Sequence, residues 1–523
     1  KSGASCAQPK RFNAHESNTG KCRKKWSSET VIRPLAEFSA HLSDTASLIG
    51  AVPLTKDLVF TGVTHSDKDV EAGDLFLAIP GAKVHGADFI RNARAQGAVA
   101  VITDAQGAQI DSSLPTLVVK DVRAAGALVA ASLYQYPTRD IASIGITGTN
   151  GKTTVSTLLY QIFQAVGRES GLIGTVETRI GSERLSSVRT TPEAPELQAL
   201  AATMRERHVR NLVMEVSSHA LSMGRMKGSH FAIAAFTNLS QDHLDFHKDM
   251  GSYFEAKAAL FTSEYADSAF INIDTSYGAT LAERTSLALT TISRTNPKAH
   301  WHFTNITPAQ QGAEFSIRGT GGILIESRTS LHGGYNADNL LLAVALAHES
   351  GVDPIELAAV IPQLTGAPGR LDAVVLEQPF KAFVDYAHSP DAVTNVLSAA
   401  REFTTGKIIA VLGCGGDRDA TKRPLMGAAL SQGCDIAIFT SDNPRSESPA
   451  AILREMVSSL DVKAPSAIIE DRAAAISHAV SVAKAGDTVL VLGKGHEQGQ
   501  DIAGVVTAFD DRLVLATAIE ARG

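Results

Sequence analysis

Gly148-Thr149-Asn150-Gly151-Lys152-Thr153-Thr154 is the run of residues best equipped for chemistry. A glycine turn leading into a helix presents backbone N–H groups and the positive end of the helix dipole to an anion. Lys152 adds a charge that can reach outer phosphates, and Thr153 adds a hydroxyl for Mg²⁺. The expected ligand is a nucleoside triphosphate. The loop departs from the general P-loop pattern, because Ile146 stands where the first glycine belongs and Gly145 comes one residue too early.

Other polar groups end apolar runs. Glu215 closes Asn211–Met214 and precedes Ser217, a placement that suits the acid of a Mg²⁺ shell. His243 and Asp245 follow the run ending at Phe236; they suit either a second metal shell or a loop hydrogen-bond network. No Asn-Lys-x-Asp guanine-reading motif follows, which weakens a GTPase reading. Lys257 lies on a helical stretch, where a lysine ordinarily faces solvent. Asn336 and Asn339 open an apolar helix, as caps or as purine-reading amides.

The elements that position these groups follow from hydrophobic spacing. Val155, Leu158, Leu159, Ile162, Phe163 and Val166 mark one face of a helix, and 140–144 reads as the short buried strand before it. A first unit carries β-like runs at 74–80, 98–103 and 116–119. Near the other end, the strands 382–385, 407–412, 435–440 and 487–492 each lead into a polar loop. In an open parallel sheet such loops gather on one edge, where ligands bind. Gly413-Cys414-Gly415-Gly416 lacks the third glycine of a dinucleotide fingerprint, so NAD is not expected. Arg418, Arg445, Glu497 and the Asp442-Asn443 pair suit a zwitterion with carboxylates and an amine.

With 523 residues, about three domains are expected. The fold class is α/β, with boundaries near 34–138, 139–364 and 365–523. The chain is 44% hydrophobic and 20% charged, as globular enzymes are. Its net charge is −7, yet residues 1–33 carry +6, which leaves −13 for the rest and argues against nucleic-acid binding. Residues 1–33 lack periodicity and an initiator Met; they are expected to be a disordered basic extension, either artificially added or a basic targeting arm. No apolar stretch is long enough for a membrane span. Cys6, Cys22, Cys414 and Cys434 form no Cys-x-x-Cys pair, so neither a zinc site nor a disulfide framework is expected, and a reducing, cytoplasmic setting is.

Taken in order, GTNGKTT, MEVSSH, TNLSQDHLDFH, YFEAK, GGYNADN, PGRLD, DYAHSP, GCGGDRD, DNPRSE and GKGHE resemble the Mur ligases over residues 34–523, and most closely the branch that adds the third peptide residue of cell-wall precursors. The resemblance implies a UDP-binding domain, a central ATPase and a Rossmann-like domain for an incoming amino acid. It implies that Gly148 to Thr154, Asn336, Arg370 and Asp385 hold ATP. Thr153, Glu215, His243 and Lys257 would serve Mg²⁺, with Lys257 carbamylated and so converted from cation to anion. Lys152, Lys257 and His243 would be the catalytic groups. Thr64, Ser66, Ala82, Lys83 and Val84 would contact UDP, and Thr190, Thr191, Ser217 and Arg225 the muramoyl-dipeptide. Two positions depart from relatives: Arg189 replaces an amide and Met223 a glutamine.

Asp442-Asn443-Pro444-Arg445 resembles the signature of members that add meso-diaminopimelate, with Arg418, Gly493 and Glu497 also at its distal end. Diaminopimelate carries a distal carboxylate that lysine lacks, and a guanidinium can grip it in a bidentate pair. The implied substrates are ATP, UDP-N-acetylmuramoyl-L-alanyl-D-glutamate and meso-diaminopimelate, handled by a monomer. A lysine-adding relative, a folylpolyglutamate synthetase and a nucleotide-gated binding ATPase are the alternatives.

Overall fold

The computed structural model describes residues 59–81, 83–187, 189–309 and 312–522, together with the strand Arg33–Pro34, which pairs antiparallel with Val59–Phe60. Ala82, Cys6, Cys22 and the basic stretch before Arg33 lie outside the described residues. The chain divides into two compact units. One comprises the residues up to Ala142 with Arg184–Leu212 and His219–His230. The other comprises Ser143–Glu183, Val213–Ser218 and Phe231–Gly523.

The first unit is built on a parallel sheet in the order Gly62–Thr64, Asp74–Leu77, Ala100–Thr103, Thr116–Val118. Its strands are apolar without alternation because both faces are covered. Leu75, Leu77 and Ile102 join the cluster that includes Val122, Val129 and Leu133 of the helix Val122–Leu133, whereas Phe76 and Val101 join that of Ile90 and Ala93.

In the second unit, the strand Ala142–Thr147 lies between Asn211–Glu215 and Phe231–Phe236 in an eleven-stranded sheet. It starts later than the expected 140–144, and Gly145 is inside it. A Cβ at Gly145 would come within 3.1 Å of the Phe231 ring, so this glycine serves strand packing and not the phosphate loop. From Phe231–Phe236 the sheet runs parallel through Ala266–Asn272 and Ala288–Ser293 to Trp301–Pro308. It then turns antiparallel through Ala313–Arg318 and Leu324–Thr329. The helix Lys152–Ala165 buries Val155, Leu158, Leu159, Ile162 and Phe163 in the cluster that includes Leu340, Leu341 and Val344 of Gly334–Glu349.

A second sheet runs Asp372–Ala373, Lys381–Asp385, Thr488–Leu492, Ile408–Cys414, Ile436–Ser441, Ala467–Ile468, parallel except at its first strand. Two apolar clusters cover its faces, so the loops carrying Asp385, Gly493, Gly415 and Asp442 all leave from one edge. Beneath that edge, Arg472 and Asp511 form a fully buried pair, with Nε to Oδ1 at 2.7 Å and Nη2 to Oδ2 at 2.6 Å. The same guanidinium donates to the Ser441 carbonyl at 3.1 Å and the Leu492 carbonyl at 3.0 Å. It ties together two strand ends that continue into site loops. Among the described residues no helix is long and apolar enough to cross a membrane.

Removing one partner of a buried ion pair strands the other charge. Asp511→Ala is expected to destabilise the second unit by about 3–5 kcal/mol, read as a fall in the denaturation midpoint. A loss below ~1 kcal/mol would show that the pair behaves as a surface one.

Candidate functional site

Two glycines shape the loop from Gly148 to Thr154, each at a positive φ and with no room for a Cβ unless a neighbour shifts. Gly148 has φ +147°, and its Cβ would lie 1.9 Å from Thr237 Oγ1. Gly151 caps the helix at φ +85°, with a would-be Cβ 2.3 Å from Asn339 Oδ1. The loop is laced to the segment after Phe236. Thr149 N donates to the Asn238 carbonyl at 2.9 Å, Asn150 N to Asn238 Oδ1 at 3.0 Å, and Thr237 Oγ1 to the Asn150 carbonyl at 2.6 Å.

Two lysines meet at this loop. Lys152 Nζ donates to the carbonyls of Gly148 and Thr149, both at 2.9 Å. Lys257 Nζ, from the helix Met250–Ala258, donates to the same Gly148 carbonyl at 2.7 Å. Lys257 is 1% exposed, which corrects the solvent-facing reading of its helix position. Its Nζ also lies 4.6 Å from the centre of the Tyr253 ring, whose hydroxyl contacts Thr149 Oγ1 at 3.1 Å. Burial, followed by the Lys152 charge, holds the Lys257 amine well below the usual lysine range, with Asp242 opposing. Lys152 is lowered by burial too, against the attraction of Glu215.

Glu215 ends its strand buried and accepts from Thr153 Oγ1 at 3.0 Å, Thr175 N at 2.8 Å and Thr175 Oγ1 at 3.0 Å. The structure therefore brings Thr153 and Glu215 together. His243 sits in a left-handed turn, φ 53°, with its exposed ring 3.5 Å from Asp242 and its centroid 6.1 Å from that of Tyr253. The side chain of Asp245 lies outside the described residues. Among the described residues no three His, Cys, Asp or Glu side chains cluster as a metal site.

Asn336 and Asn339 are not caps: Gly333 is the N-cap of the helix Gly334–Glu349 with no side-chain cap bond, and both amides are buried inside the helix, Asn336 in its first turn and Asn339 in its second. Asn336 Nδ2 donates to the His332 carbonyl at 2.9 Å. Asp385 accepts from Leu371 N at 2.7 Å and Ala387 N at 2.8 Å. Burial pushes its carboxyl above the usual range against the pull of Arg370. The Arg370 guanidinium lies 4.9 Å from the Tyr386 ring centre. Arg370 and Asp385 are thus neighbours.

On the carboxyl edge of the smaller sheet, Arg445 takes a left-handed turn, φ 51°. Its N–H donates to the Asp501 carbonyl at 3.0 Å, its carbonyl accepts from Ala503 N at 2.7 Å, and Nη1 donates to the Gly416 carbonyl at 2.6 Å. A Cβ on Gly415 would lie 3.1 Å from Arg445 Nη1 and 3.9 Å from Arg418 Cγ, so the head of one arginine and the stem of the other pass this glycine, while Arg418 Nη1 donates to the Asp417 carbonyl at 3.4 Å. Pro444 closes the same loop, its carbonyl 1.9 Å from a would-be Cβ on Gly416. Gly493, φ +112°, leaves room for Asp442 Oδ2. Asn443 Nδ2 donates to Glu497 Oε2 at 2.7 Å. Sequence reasoning missed Lys494, which is fully buried among these groups; the signal was a lysine between two glycines at a strand end. It also missed Arg423, buried against Glu447 and Glu455.

In the first unit, Thr64 Oγ1 accepts from Ser66 N at 3.2 Å. Lys83 and Val84 are exposed on a turn closed by Gly81 N to the Val84 carbonyl at 3.2 Å. Arg225 donates to the Thr191 carbonyl at 3.3 Å, pairs with Glu193 at 3.0 Å and reaches Met223 Sδ at 3.4 Å. Arg189 pairs with the same Glu193 at 3.2 Å. Thr190 follows Arg189 and is half-buried, and Ser217 belongs to the second unit.

Three family descriptions match the chain: the Mur ligase middle domain over residues 146–347, the Mur ligase glutamate ligase domain over 369–495, and the Mur ligase family catalytic domain over 59–132. A protein of Streptomyces avermitilis named UDP-N-acetylmuramoyl-L-alanyl-D-glutamate--2,6-diaminopimelate ligase is 48% identical over 497 residues, covering 93% of this chain and 98% of that relative. A solved structure of a ligase of that name is 32% identical with a TM-score of 0.65, covering 91% and 99%. A folylpolyglutamate synthase of Mycobacterium tuberculosis, solved with ADP and AMPPCP, shares the fold at 20% identity and a TM-score of 0.56, covering 70% and 92%.

Gly148→Ala is expected to abolish stabilisation by ATP in a thermal-shift assay, because its Cβ collides with Thr237. Gly167→Ala, at φ +71° with no atom within 4 Å of its Cβ, should lose only about 1 kcal/mol and keep the ATP response. Equal ATP responses in both variants would show that the loop tolerates a side chain.

Proposed function

The chain belongs to the Mur ligase family, and we propose that it is the ATP-dependent ligase that joins meso-diaminopimelate to the D-glutamate of UDP-N-acetylmuramoyl-L-alanyl-D-glutamate in peptidoglycan precursor synthesis. The observation that carries the choice of amino acid is the placement of Arg445 Nη1 beside Gly415, with the Arg418 stem close to the same glycine, on the edge where Glu497 is held by Asn443. Two guanidiniums suit a distal carboxylate, and a carboxylate suits the distal ammonium. A lysine side chain would leave Arg445 without its partner, a loss that discriminates against it.

The reaction divides into two displacements. The D-glutamate carboxylate attacks the γ-phosphorus of ATP, the bond to ADP breaks, and an acyl phosphate forms. The free amine of diaminopimelate then attacks the acyl carbon, the bond to phosphate breaks, and the amine proton leaves with the amide formed. Lys152 turns from the loop carbonyls toward the phosphates and offsets their charge. The loop N–H groups from Gly148 to Thr154 orient them. Asn336, Arg370 and Asp385 hold the rest of the nucleotide.

The Thr153 hydroxyl against the buried Glu215 carboxylate fits a hard cation. Thr153, Glu215, His243 and a carbamylated Lys257 would hold Mg²⁺, which supplies further charge neutralisation at the phosphates. The low-lying Lys257 amine is suited to the modification: the neutral nitrogen adds to the carbon of CO2 and releases a proton. Thr64, Ser66, Lys83, Val84, Thr190, Thr191, Ser217 and Arg225, with Ala82, are assigned to the UDP-sugar peptide. We further assign residues 34–138 to that substrate, 139–364 to ATP and 365–523 to the amino acid, in a cytoplasmic monomer.

Phosphate release should require ATP, the UDP-dipeptide and diaminopimelate together. Release without any amino acid would favour a binding ATPase, and faster release with lysine would overturn the specificity. Arg445→Ala should raise the KM for diaminopimelate by about 10–100-fold and leave that for ATP unchanged. In CO2-free buffer, activity should fall and return with bicarbonate, while intact-mass analysis follows one CO2 on Lys257. Full activity of Lys257→Ala would remove the carbamate from the mechanism.

A further inference from the structure

Lys494 has no part in the reaction outlined above, yet it is fully buried. It lies between Gly493, φ +112°, and Gly495, φ +54°. Those two left-handed turns wind the loop so tightly that a Cβ on Gly495 would lie 2.7 Å from Tyr386 Cβ. The lysine chain is thereby directed inward. Its Nζ has three donors and meets three acceptors: the Gly499 carbonyl at 2.6 Å, Asn443 Oδ1 at 3.0 Å and Glu497 Oε2 at 3.3 Å.

These contacts settle two orientations. Asn443 Oδ1 accepts from Lys494 and from Asp501 N, at 3.0 Å each, so its NH2 must face Glu497, where it donates at 2.7 Å. Glu497 Oε2 is therefore held by two donors, the Asn443 amide and the Lys494 ammonium. The Glu497 side chain is 33% exposed. A carboxylate held at one oxygen by two donors is restricted in its swing, and its other oxygen is left for a further donor.

We propose that Lys494 is a positioning residue for amino-acid choice: by holding Asn443 and Oε2 of Glu497, it aims Glu497 Oε1 at the distal ammonium of the incoming amino acid. This rests on the ligase reading above. Arg445 and Arg418 read the distal carboxylate, and the Lys494-oriented Glu497 reads the distal amine. A compound with that carboxylate and no amine should expose the difference. 2-Aminopimelate is such a compound.

The test compares kcat/KM for diaminopimelate and 2-aminopimelate. The unchanged enzyme should prefer diaminopimelate. Lys494→Met should reduce that preference by about tenfold or more, with KM for ATP and for the UDP-dipeptide unchanged. Glu497→Gln should reduce it similarly, and the double variant should be no worse than Glu497→Gln alone, because both act through one contact. Lys494→Gln, which keeps a donor without the charge, serves if the methionine variant does not fold. An equal loss on both amino acids, with the preference unmoved, overturns the proposal. So does failure of both variants to fold, which makes the lysine purely structural. Lack of any diaminopimelate-dependent phosphate release by the unchanged protein overturns the ligase reading first, and this inference with it.

Discussion

Two lysine side chains share the carbonyl of Gly148, and the rest of the nucleotide site depends on how that crowding is relieved. Each amine is pushed toward its neutral form, chiefly by burial, and Lys257 is pushed further by Lys152. A buried pair of cations is unfavourable unless anions arrive. Lys152 can be satisfied by phosphate. Lys257 is closed in behind Tyr253 and the loop, and the carbamate proposed above would turn its cation into an anion and so remove the repulsion. The glycines at 148 and 151 are needed for geometric reasons: any side chain there would occupy space already held by Thr237 or Asn339.

The amino-acid edge solves a related problem by different means. Its charged groups are fixed from beneath. Arg472 clamps the ends of the strands leading to Asp442 and Gly493, and Asp511 neutralises it out of contact with water. Lys494 then orients the two polar side chains above. Recognition by rigid charges avoids ordering costs on binding. Under the ligase reading proposed above, a pocket that separates two amino acids differing by one carboxylate has reason to use it.

Much of this arrangement was legible in the residues. The helix after the phosphate loop follows the apolar spacing from Val155 to Phe163 because that face packs on one continuous core. The four strand ends of the smaller sheet also follow, since unbroken apolar runs mean burial on both faces. What was not legible depends on tertiary placement. Lys257 sits at an ordinary helix position, and only packing shows its amine under the loop. Asn336 and Asn339 lie near a helix start, where capping is the usual role, but Gly333 is the N-cap and leaves both amides inside. The strand before the loop starts later than its apolar pattern, because the run passes through Gly145, whose missing side chain makes way for Phe231. Lys494 was hidden by its type, since lysine is among the residues least often buried.

The two departures from relatives acquire a common cause. Arg189 and Met223, the two positions that the resemblance marks as departures, both lie around Arg225. In the structure both are tied to the same group: Arg189 shares Glu193 with Arg225, and Met223 sulfur accepts from Arg225. Glu193 is buried and also lies 3.6 Å from Arg123. One carboxylate therefore anchors three guanidiniums, and the Met223 thioether accepts a further contact from Arg225. Arg225 is thereby held by fixed charge, and its orientation is imposed by a carboxylate that it shares with two other guanidiniums.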